Sequence, residues 1–222
     1  MKNKKKLIIW GATGQSIVLK ELLNREYDLV ALFDNDKKVT SPFDNIPIFY
    51  KTNGFLKWFK EQKETFYFIC AIGGDNGRAR VKISQFLKKY GLKEISAIHK
   101  KSLLADDIKM GNSVQIMLGA CIATRCKIDS YVVINTSASI DHECVIKKGC
   151  HIGPGAKLAG KIIVDEYTFI GIGAVILPNI HIGKGCIVGA GSIVTKNIPD
   201  YHIVYGNPAK LVRKMNDGNR KI

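Results

Sequence analysis

The sequence has no long hydrophobic run and no leader-like apolar segment. No apolar stretch approaches the roughly 20 residues that a bilayer span needs, which excludes a transmembrane protein. The basic start is followed by only four apolar residues, Leu7–Trp10, before Gly11. This pattern predicts a first strand behind a basic tail rather than a signal peptide. Six cysteines in such a chain favour reduced thiols and a cytoplasmic location over a disulfide framework.

Acidic residues are scarce relative to basic ones. The chain carries 34 Lys and Arg against 19 Asp and Glu, for a net charge of +15. The excess is +9 in residues 1–100 and +6 in residues 101–222, so no separate basic arm exists. Such a field favours polyanionic partners, but no basic stripe is interleaved with aromatic residues, which argues against nucleic acid.

A six-residue repeat of aliphatic side chains dominates the second half. Fourteen consecutive positions at this spacing are Ile, Leu or Val, and two earlier steps fall on Met110 and Leu104. Period six fits neither an amphipathic helix nor a strand that ends in a hairpin, but it fits a short strand plus a turn. The positions are Ile116, Ile122, Ile128, Ile134, Ile140, Ile146, Ile152, Leu158, Val164, Ile170, Ile176, Ile182, Val188 and Val194.

A second row, two residues before the first, is almost entirely small or β-branched and runs from Val114 to Ser192. Three six-residue units make one coil of about 18 residues, with aliphatic side chains on the axis and small ones at the corners. We therefore predict a parallel β-helix, a three-sided prism of about five coils over residues 104–197.

The first half predicts a different architecture. Apolar runs at residues 7–10, 29–33, 66–72 and 94–98 alternate with helical patterns near 15–24, 54–63 and 77–90. Alternating strands and helices imply a parallel sheet, in which loops after successive strands gather at one edge. We predict a Rossmann-like α/β domain at residues 1–100 and the β-helix with a C-terminal tail at 101–222.

Three polar loops are expected at that sheet edge, and together they favour a phosphate- or nucleotide-bearing ligand. The first lacks the full G-x-G-x-x-G fingerprint, so NAD is not the expected ligand. The loops are Gly11-Ala12-Thr13-Gly14-Gln15, Asp34-Asn35-Asp36 and Gly73-Gly74-Asp75-Asn76-Gly77-Arg78.

His142 is the strongest candidate for chemistry in the second half. It lies between Asp141 and Glu143 in the segment that directly follows the inward Ile140, so its ring should face outward. A histidine oriented by a carboxylate is a common general base, although a solvated turn histidine fits the spacing equally well. His151 should also face out, whereas His99, His181 and His202 have no comparable surroundings.

The nearby cysteines are not expected to form a metal site with these histidines. Cys144 and Cys150 fall on the inward row of small residues, whereas His142 and His151 should point the other way. Ligands on opposite faces of a coil wall cannot close a tetrahedron, and inward cysteines cannot act as nucleophiles. We therefore predict no metal.

Three segments carry a family resemblance that extends from Lys5 to about Lys214. The segments Ile134–Ile146, His151–Gly160 and Gly206–Lys210 resemble the NeuD/PglD family of bacterial sugar acyltransferases. The resemblance implies a Rossmann-like domain followed by a left-handed β-helix, acetyl-CoA as cosubstrate, and a homotrimer with sites between adjacent β-helices.

The resemblance also implies roles for individual residues. His142 would be the general base, Glu143 its orienting partner, and the Gly160 amide the donor to the thioester oxygen. Asn135 would lie near the acceptor amine. The implied acetyl-CoA contacts are His151, Gly160, Ile172, Ala190 and Lys210. The implied nucleotide-sugar contacts are Asn135, Gly11, Thr13, Gly14, Gln15, Asp34, Asn35, Asp36, Gly73, Asp75 and Asn76.

The resemblance thus implies an N-acetyltransferase acting on a UDP- or dTDP-linked 4-amino-4,6-dideoxysugar in surface-glycan synthesis, such as that of O-antigen or lipopolysaccharide. Two alternatives stay open. The first is an O-acetyltransferase for sialic or related nonulosonic acids, which differs only in its acceptor. The second is a non-catalytic β-helix scaffold or polyanion-binding protein that uses the positive charge.

Overall fold

A computed structural model of the protein describes residues 4–215. The beginning of the basic tail and residues 216–222 of the C-terminal tail lie outside the described residues. The chain divides into two compact units. Of the described residues, one unit contains residues 4–72 together with Arg80–Ala97, and the other contains Gly73–Ala79 together with residues 98–215.

The first unit is built on a parallel five-stranded sheet with the strand order β3-β2-β1-β4-β5. Its short loops and apolar strands follow the βα alternation seen in the sequence. The elements are β1 (Lys5–Trp10), α1 (Gly14–Leu23), β2 (Tyr27–Asp34), β3 (Ile48–Tyr50), α2 (Lys51–Lys60), β4 (Tyr67–Cys70), α3 (Gly77–Lys89) and β5 (Lys93–Glu94).

The three predicted helices are confirmed, but two strand predictions need correction. The run at residues 94–98 does not form one strand: Lys93–Glu94 pairs with β4, and the chain enters the β-helix at β6 (Ala97–Ile98). The short strand β3 was missed because three residues directly before a helix give too little alternation to be recognised.

Aromatic side chains fill the core of the first unit. Trp10 stacks on Phe33 with ring centres 5.5 Å apart, and Phe55 packs edge-on against Phe33 at the same distance. Central strands of a parallel sheet are buried on both faces, which explains why β1 reads as a continuous apolar run rather than an alternating one.

The second unit is a left-handed parallel β-helix whose two-residue strands, β6 to β22, form three sheets; the longer strands β23 and β24 follow, and β24 pairs with β23 in antiparallel orientation. Paired strands lie 18 residues apart, as in Ile122↔Ile140, so each sheet gains one strand per coil. The strands are β6, β7 (Leu103–Leu104), β8 (Lys109–Met110), β9 (Gln115–Ile116), β10 (Cys121–Ile122), β11 (Lys127–Ile128), β12 (Val133–Ile134), β13 (Ser139–Ile140), β14 (Val145–Ile146), β15 (His151–Ile152), β16 (Lys157–Leu158), β17 (Ile163–Val164), β18 (Phe169–Ile170), β19 (Val175–Ile176), β20 (His181–Ile182), β21 (Ile187–Val188), β22 (Ile193–Val194), β23 (His202–Tyr205) and β24 (Lys210–Lys214).

Both inward rows predicted from the sequence are confirmed. All fourteen aliphatic residues of the six-residue repeat are at most 2% exposed. In the row of small residues, the hydroxyl of Thr168 donates to the Gly183 carbonyl at 2.7 Å, so this buried polar group is paired. Ile198 and Val204 extend the axial core beyond the last step of the repeat. No described helix is long and apolar enough to cross a membrane.

Candidate active site

His142 lies on the outside of the prism, as predicted, in the turn between β13 and β14. Its side chain is 46% exposed, and its Nδ1 lies 3.0 Å from Oε2 of Glu143. Because a carboxylate only accepts hydrogen bonds, Nδ1 is the donor in this contact, and in a neutral imidazole Nε2 is then the nitrogen with the lone pair. The Asp141 carboxylate accepts the backbone N–H of His142 at 2.8 Å, so it stabilises the turn rather than the ring.

Gly160 lies one coil after His142 and directly beside its ring. A Cβ at residue 160 would be 2.5 Å from His142 Nε2, so only glycine leaves room for the ring in this position. The backbone also connects the two turns, because the Lys161 N–H donates to the His142 carbonyl at 2.9 Å. The structure therefore brings together the three residues expected to carry the chemistry, and the oxyanion role of the Gly160 amide stays a prediction.

An open groove runs along the sheet face next to this turn. It has a volume of about 360 Å³ and includes Asp141 and Ala159, the neighbours of His142 and Gly160 in the chain. Most of its wall is apolar, which suits a flexible chain with few charges. The lining residues are Cys121, Ala123, Ser139, Ile140, Asp141, Lys157, Leu158, Ala159, Val175, Ile176 and Leu177.

Cys144 and Cys150 are buried inside the prism, as predicted, and are not nucleophiles. Cys144 is fully buried, and its Sγ donates to the Ala159 carbonyl at 3.1 Å. Hydrogen bonding with Cys126 and burial both raise the pKa of the Cys144 thiol, which therefore stays protonated at neutral pH. Cys150 is also fully buried.

His151 points out of the prism, as predicted, but it is covered by other residues rather than exposed to solvent. It is 5% exposed and packs edge-on against Phe169 with ring centres 5.3 Å apart. Its Nε2 accepts a hydrogen bond from the Asn135 amide at 3.2 Å. A Cβ at Gly73 would be 3.5 Å from the His151 ring. Asn135, His151 and Gly73 thus form one cluster, at a different corner of the prism from His142.

The two nucleotide-binding loops expected in the first unit are held together by hydrogen bonds. Asp34 accepts the Ala12 N–H at 2.9 Å through Oδ2 and the Asp36 N–H at 3.0 Å through Oδ1. Gly11 has φ +103°, and its N–H donates to the Phe33 carbonyl at 2.7 Å. Thr13, Gly14, Asn35 and Asp36 are exposed and Gln15 is half-buried. The loop after β1 and the loop after β2 therefore form one polar surface.

The third loop begins after β4, but from Gly73 it groups with the second unit. Asp75 is half-buried and Asn76 is exposed, and the Asn76 N–H donates to the Gly73 carbonyl at 3.4 Å. Gly73 anchors this loop beside His151, and its contact with the nucleotide sugar, like that of the other two loops, stays a prediction.

The remaining expected acetyl-CoA contacts lie on exposed surfaces of the second unit. Ile172 is 59% exposed, and Ala190 takes the same turn position one coil later. Lys210 is exposed at the start of β24. Their contact with acetyl-CoA stays a prediction.

A second imidazole–carboxylate pair was missed by sequence reasoning. His181 Nε2 lies 2.7 Å from Asp165 Oδ2, and Lys147 Nζ lies 2.6 Å from Asp165 Oδ1. The expectation that His181, unlike His142, has no carboxylate partner is therefore wrong. The 18-residue spacing of Lys147 and Asp165, one coil, is the signal that could have revealed part of this cluster.

No group of three or more His, Cys, Asp or Glu side chains that could hold a metal ion is found from residue 4 to residue 215.

A β-helix of six-residue repeats with an exposed imidazole–carboxylate pair beside an apolar groove suits the class of hexapeptide-repeat acyltransferases. Family comparisons agree. Residues 161–196 match the model described as bacterial transferase hexapeptide (six repeats). Residues 6–85 match the model described as PglD N-terminal domain.

Solved structures extend the likeness to almost the whole chain. PerB from Caulobacter crescentus, solved with CoA and GDP-perosamine, is 30% identical, with a TM-score of 0.83 over 95% of this chain and 98% of that one. The acetyltransferase domain of PglB from Neisseria gonorrhoeae, solved with acetyl coenzyme A, is 28% identical, with a TM-score of 0.81 over 95% of this chain and 100% of that one. The chain belongs to the NeuD/PglD family of sugar acyltransferases.

Proposed function

We propose that the protein transfers an acetyl group from acetyl-CoA to the amino group of a nucleotide-linked 4-amino-4,6-dideoxysugar. The observation that carries this proposal is the exposed His142–Glu143 pair, which lies against Gly160 at the edge of an apolar groove. Complexes of the 30% identical PerB with CoA and GDP-perosamine support both substrate classes. We place the reaction in the cytoplasm, in surface-glycan synthesis such as that of O-antigen or lipopolysaccharide.

His142 acts as the general base in a direct transfer. The neutral acceptor amine attacks the thioester carbonyl, and a C–N bond forms while charge builds on the carbonyl oxygen. His142 Nε2 takes the proton that the nitrogen loses, and Glu143 stabilises the resulting imidazolium through Nδ1. A preorganised backbone donor such as the Gly160 amide stabilises the oxyanion. The C–S bond then breaks, and the CoA sulfur leaves and receives the proton.

Two features favour the binding of two anionic substrates: the net positive charge of the chain and the polar loops of the first unit. The net charge of +15 favours both CoA and a nucleotide sugar. The linked Asp34 and Gly11 loops offer polar groups for the nucleotide. Holding amine and thioester in line lowers the entropic part of the barrier, so no covalent enzyme intermediate is needed.

The decisive experiment compares His142→Asn with His181→Asn. Each variant removes an exposed imidazole that is paired with a carboxylate, but only the first removes the proposed base. We expect His142→Asn to lower kcat by about 10²–10⁴-fold and His181→Asn to stay near the parent value. Thiol release from acetyl-CoA measures the rate. Activity of His142→Asn within about tenfold of the parent chain would contradict the proposed role.

A panel of candidate acceptor substrates identifies the acceptor. UDP-, dTDP- and GDP-linked amino sugars, sialic acid, and a buffer blank are each incubated with the protein and acetyl-CoA. We expect turnover with at least one amino-sugar nucleotide. Turnover with sialic acid alone would establish the O-acetyltransferase alternative, and no turnover with any acceptor would favour a non-catalytic polyanion-binding protein.

A further inference from the structure

The segment Gly73–Ala79 is held against the β-helix by a cation between two aromatic rings. The Arg78 guanidinium carbon lies 5.2 Å from the ring centre of Tyr167 and 5.7 Å from that of Tyr201. Arg78 Nη2 also donates to the Tyr201 hydroxyl at 3.2 Å. Cations at these distances are attracted to ring faces, and the planar guanidinium adds a directional hydrogen bond. We call these three residues the Arg78 clamp.

A backbone contact fixes the same segment next to the clamp. A Cβ at Gly77 would overlap the Gly149 carbonyl oxygen and would lie 3.5 Å from the Tyr167 Cα. Only glycine allows this approach, so the two backbones are in direct contact at the start of α3. Gly77 is buried as a result.

The other end of the segment lies beside His151. Gly73 faces the His151 ring, and the residues between Gly73 and Gly77 form a tight turn in which Gly74 has φ +60°. The exposed Asn76 lies in this turn, two residues before Arg78. The path of the turn is therefore fixed at both ends, by the Gly73 contact and by the Arg78 clamp.

We propose that Arg78 is a positioning residue for the acceptor: through the clamp it holds the Gly73–Asn76 turn where it can contact the nucleotide sugar. This inference rests on the proposed function and on the family resemblance, which implies nucleotide-sugar contacts at Gly73, Asp75 and Asn76. Arg78 itself is occupied by the two tyrosines and takes no part in proton transfer. Its loss should weaken acceptor binding and leave the chemical step and acetyl-CoA binding unchanged.

The test measures KM for both substrates in Arg78→Ala, Arg78→Lys and Tyr201→Phe. We expect Arg78→Ala to raise the acceptor KM about tenfold, with kcat and the acetyl-CoA KM changed by less than about threefold. Arg78→Lys keeps the charge but loses the planar group, so it should recover part of the loss. Tyr201→Phe keeps the ring and loses the 3.2 Å hydrogen bond, so its effect should be smaller.

The chain provides a matched control in Lys148→Ala. Lys148 lies 6.0 Å from the Tyr131 ring centre, a cation–ring pair two coils before the pair formed by Lys184 and Tyr167. The Lys148 carbonyl accepts the Tyr167 N–H at 3.0 Å, a backbone bond that Lys148→Ala keeps, whereas the Lys148 side chain lies over Tyr131 and not over a clamp ring, so its loss should leave both KM values unchanged. An equal effect of Lys148→Ala and Arg78→Ala would overturn the proposal.

Amide hydrogen exchange supplies a readout that does not depend on activity. In Arg78→Ala we expect faster exchange at residues 73–77 and unchanged exchange in β12 and β15. An unchanged acceptor KM, or an equal rise in both KM values, would overturn the positioning role. Absence of turnover by the parent chain would instead overturn the proposed function, and the acceptor role with it, even if exchange showed that the clamp orders the turn.

Discussion

At the scale of single residues, the candidate site depends on the close packing of the His142 ring against Gly160, which has no side chain. Glu143 has φ +59°, a left-handed conformation in the turn that follows His142. The His142 ring then lies against Gly160, whose backbone is not in the left-handed region. An alanine could therefore adopt the backbone conformation at residue 160, but its methyl group would need the space that the ring occupies.

Gly160→Ala should displace the imidazole without unfolding the protein. The methyl group meets the far end of a half-exposed side chain that can turn into solvent. We expect kcat to fall by at least about tenfold, because general-base catalysis requires hydrogen-bond reach to the proton, and we expect the thermal midpoint to change little. Steady-state kinetics and thermal unfolding measure the two quantities. Retained kcat together with a lowered midpoint would contradict this account.

At the scale of structural elements, a charged cluster connects three successive coils on one outer wall. Lys147 follows β14, Asp165 follows β17 and His181 begins β20. Burial alone would raise the pKa of Asp165, but hydrogen bonds from Lys147 and His181 outweigh burial and lower it. The same hydrogen bond raises the pKa of Lys147. The cluster therefore stabilises the stack of coils while Asp165 is ionised.

The stabilising effect of this cluster should be lost in acid. A carboxyl group whose pKa is lower in the folded than in the unfolded state stabilises the fold above its unfolded value, about 3.9, and the effect fades as pH falls through the folded value. We expect the parent chain to be more stable than Asp165→Asn at pH 7 and the difference to shrink below about pH 4. Thermal midpoints of both proteins from pH 3 to pH 8 test this. A difference in thermal midpoint that does not change with pH would show that Asp165 stabilises the fold by packing rather than by its charge.

At the scale of the whole molecule, the residues expected to act together lie at two corners of the same prism. His142 and Glu143 lie in the turn between β13 and β14, whereas Asn135 is in the turn between β12 and β13 and bonds to His151. The groove beside His142 is open along one sheet face and has exposed apolar residues such as Leu177. We expect a neighbouring β-helix to form the second wall of this groove and to bring its own Asn135–His151 corner close to His142.

We therefore expect a homotrimer, in which three equivalent interfaces close without a free edge. Sedimentation equilibrium should give about three times the chain mass of 24.6 kDa. Active monomers at assay concentration would contradict the shared-site arrangement and would require all contacts to come from one chain.

The sequence predicted the fold and the outward position of His142, whereas the roles of the site residues stay predictions. The six-residue rows by themselves place His142 on the outside of the prism, and the residue one coil of 18 positions further along the chain is Gly160. The loops after β1 and β2 were recognised from their glycines and acidic residues. The Arg78 clamp was not predicted, because residues 78, 167 and 201 have no common spacing and meet only through the path of the loop after β4.

The sequence alone determined which side chains point into the β-helix, because strand geometry and the repeat fix side-chain direction locally. Only the tertiary structure decided what the outward side chains contact. His151 is outward by periodicity and yet buried, since Gly73 and Phe169 pack against its ring. Gly73 is 78 positions away from His151 along the chain. No local sequence pattern predicts this contact, because it depends on the path of the loop after β4.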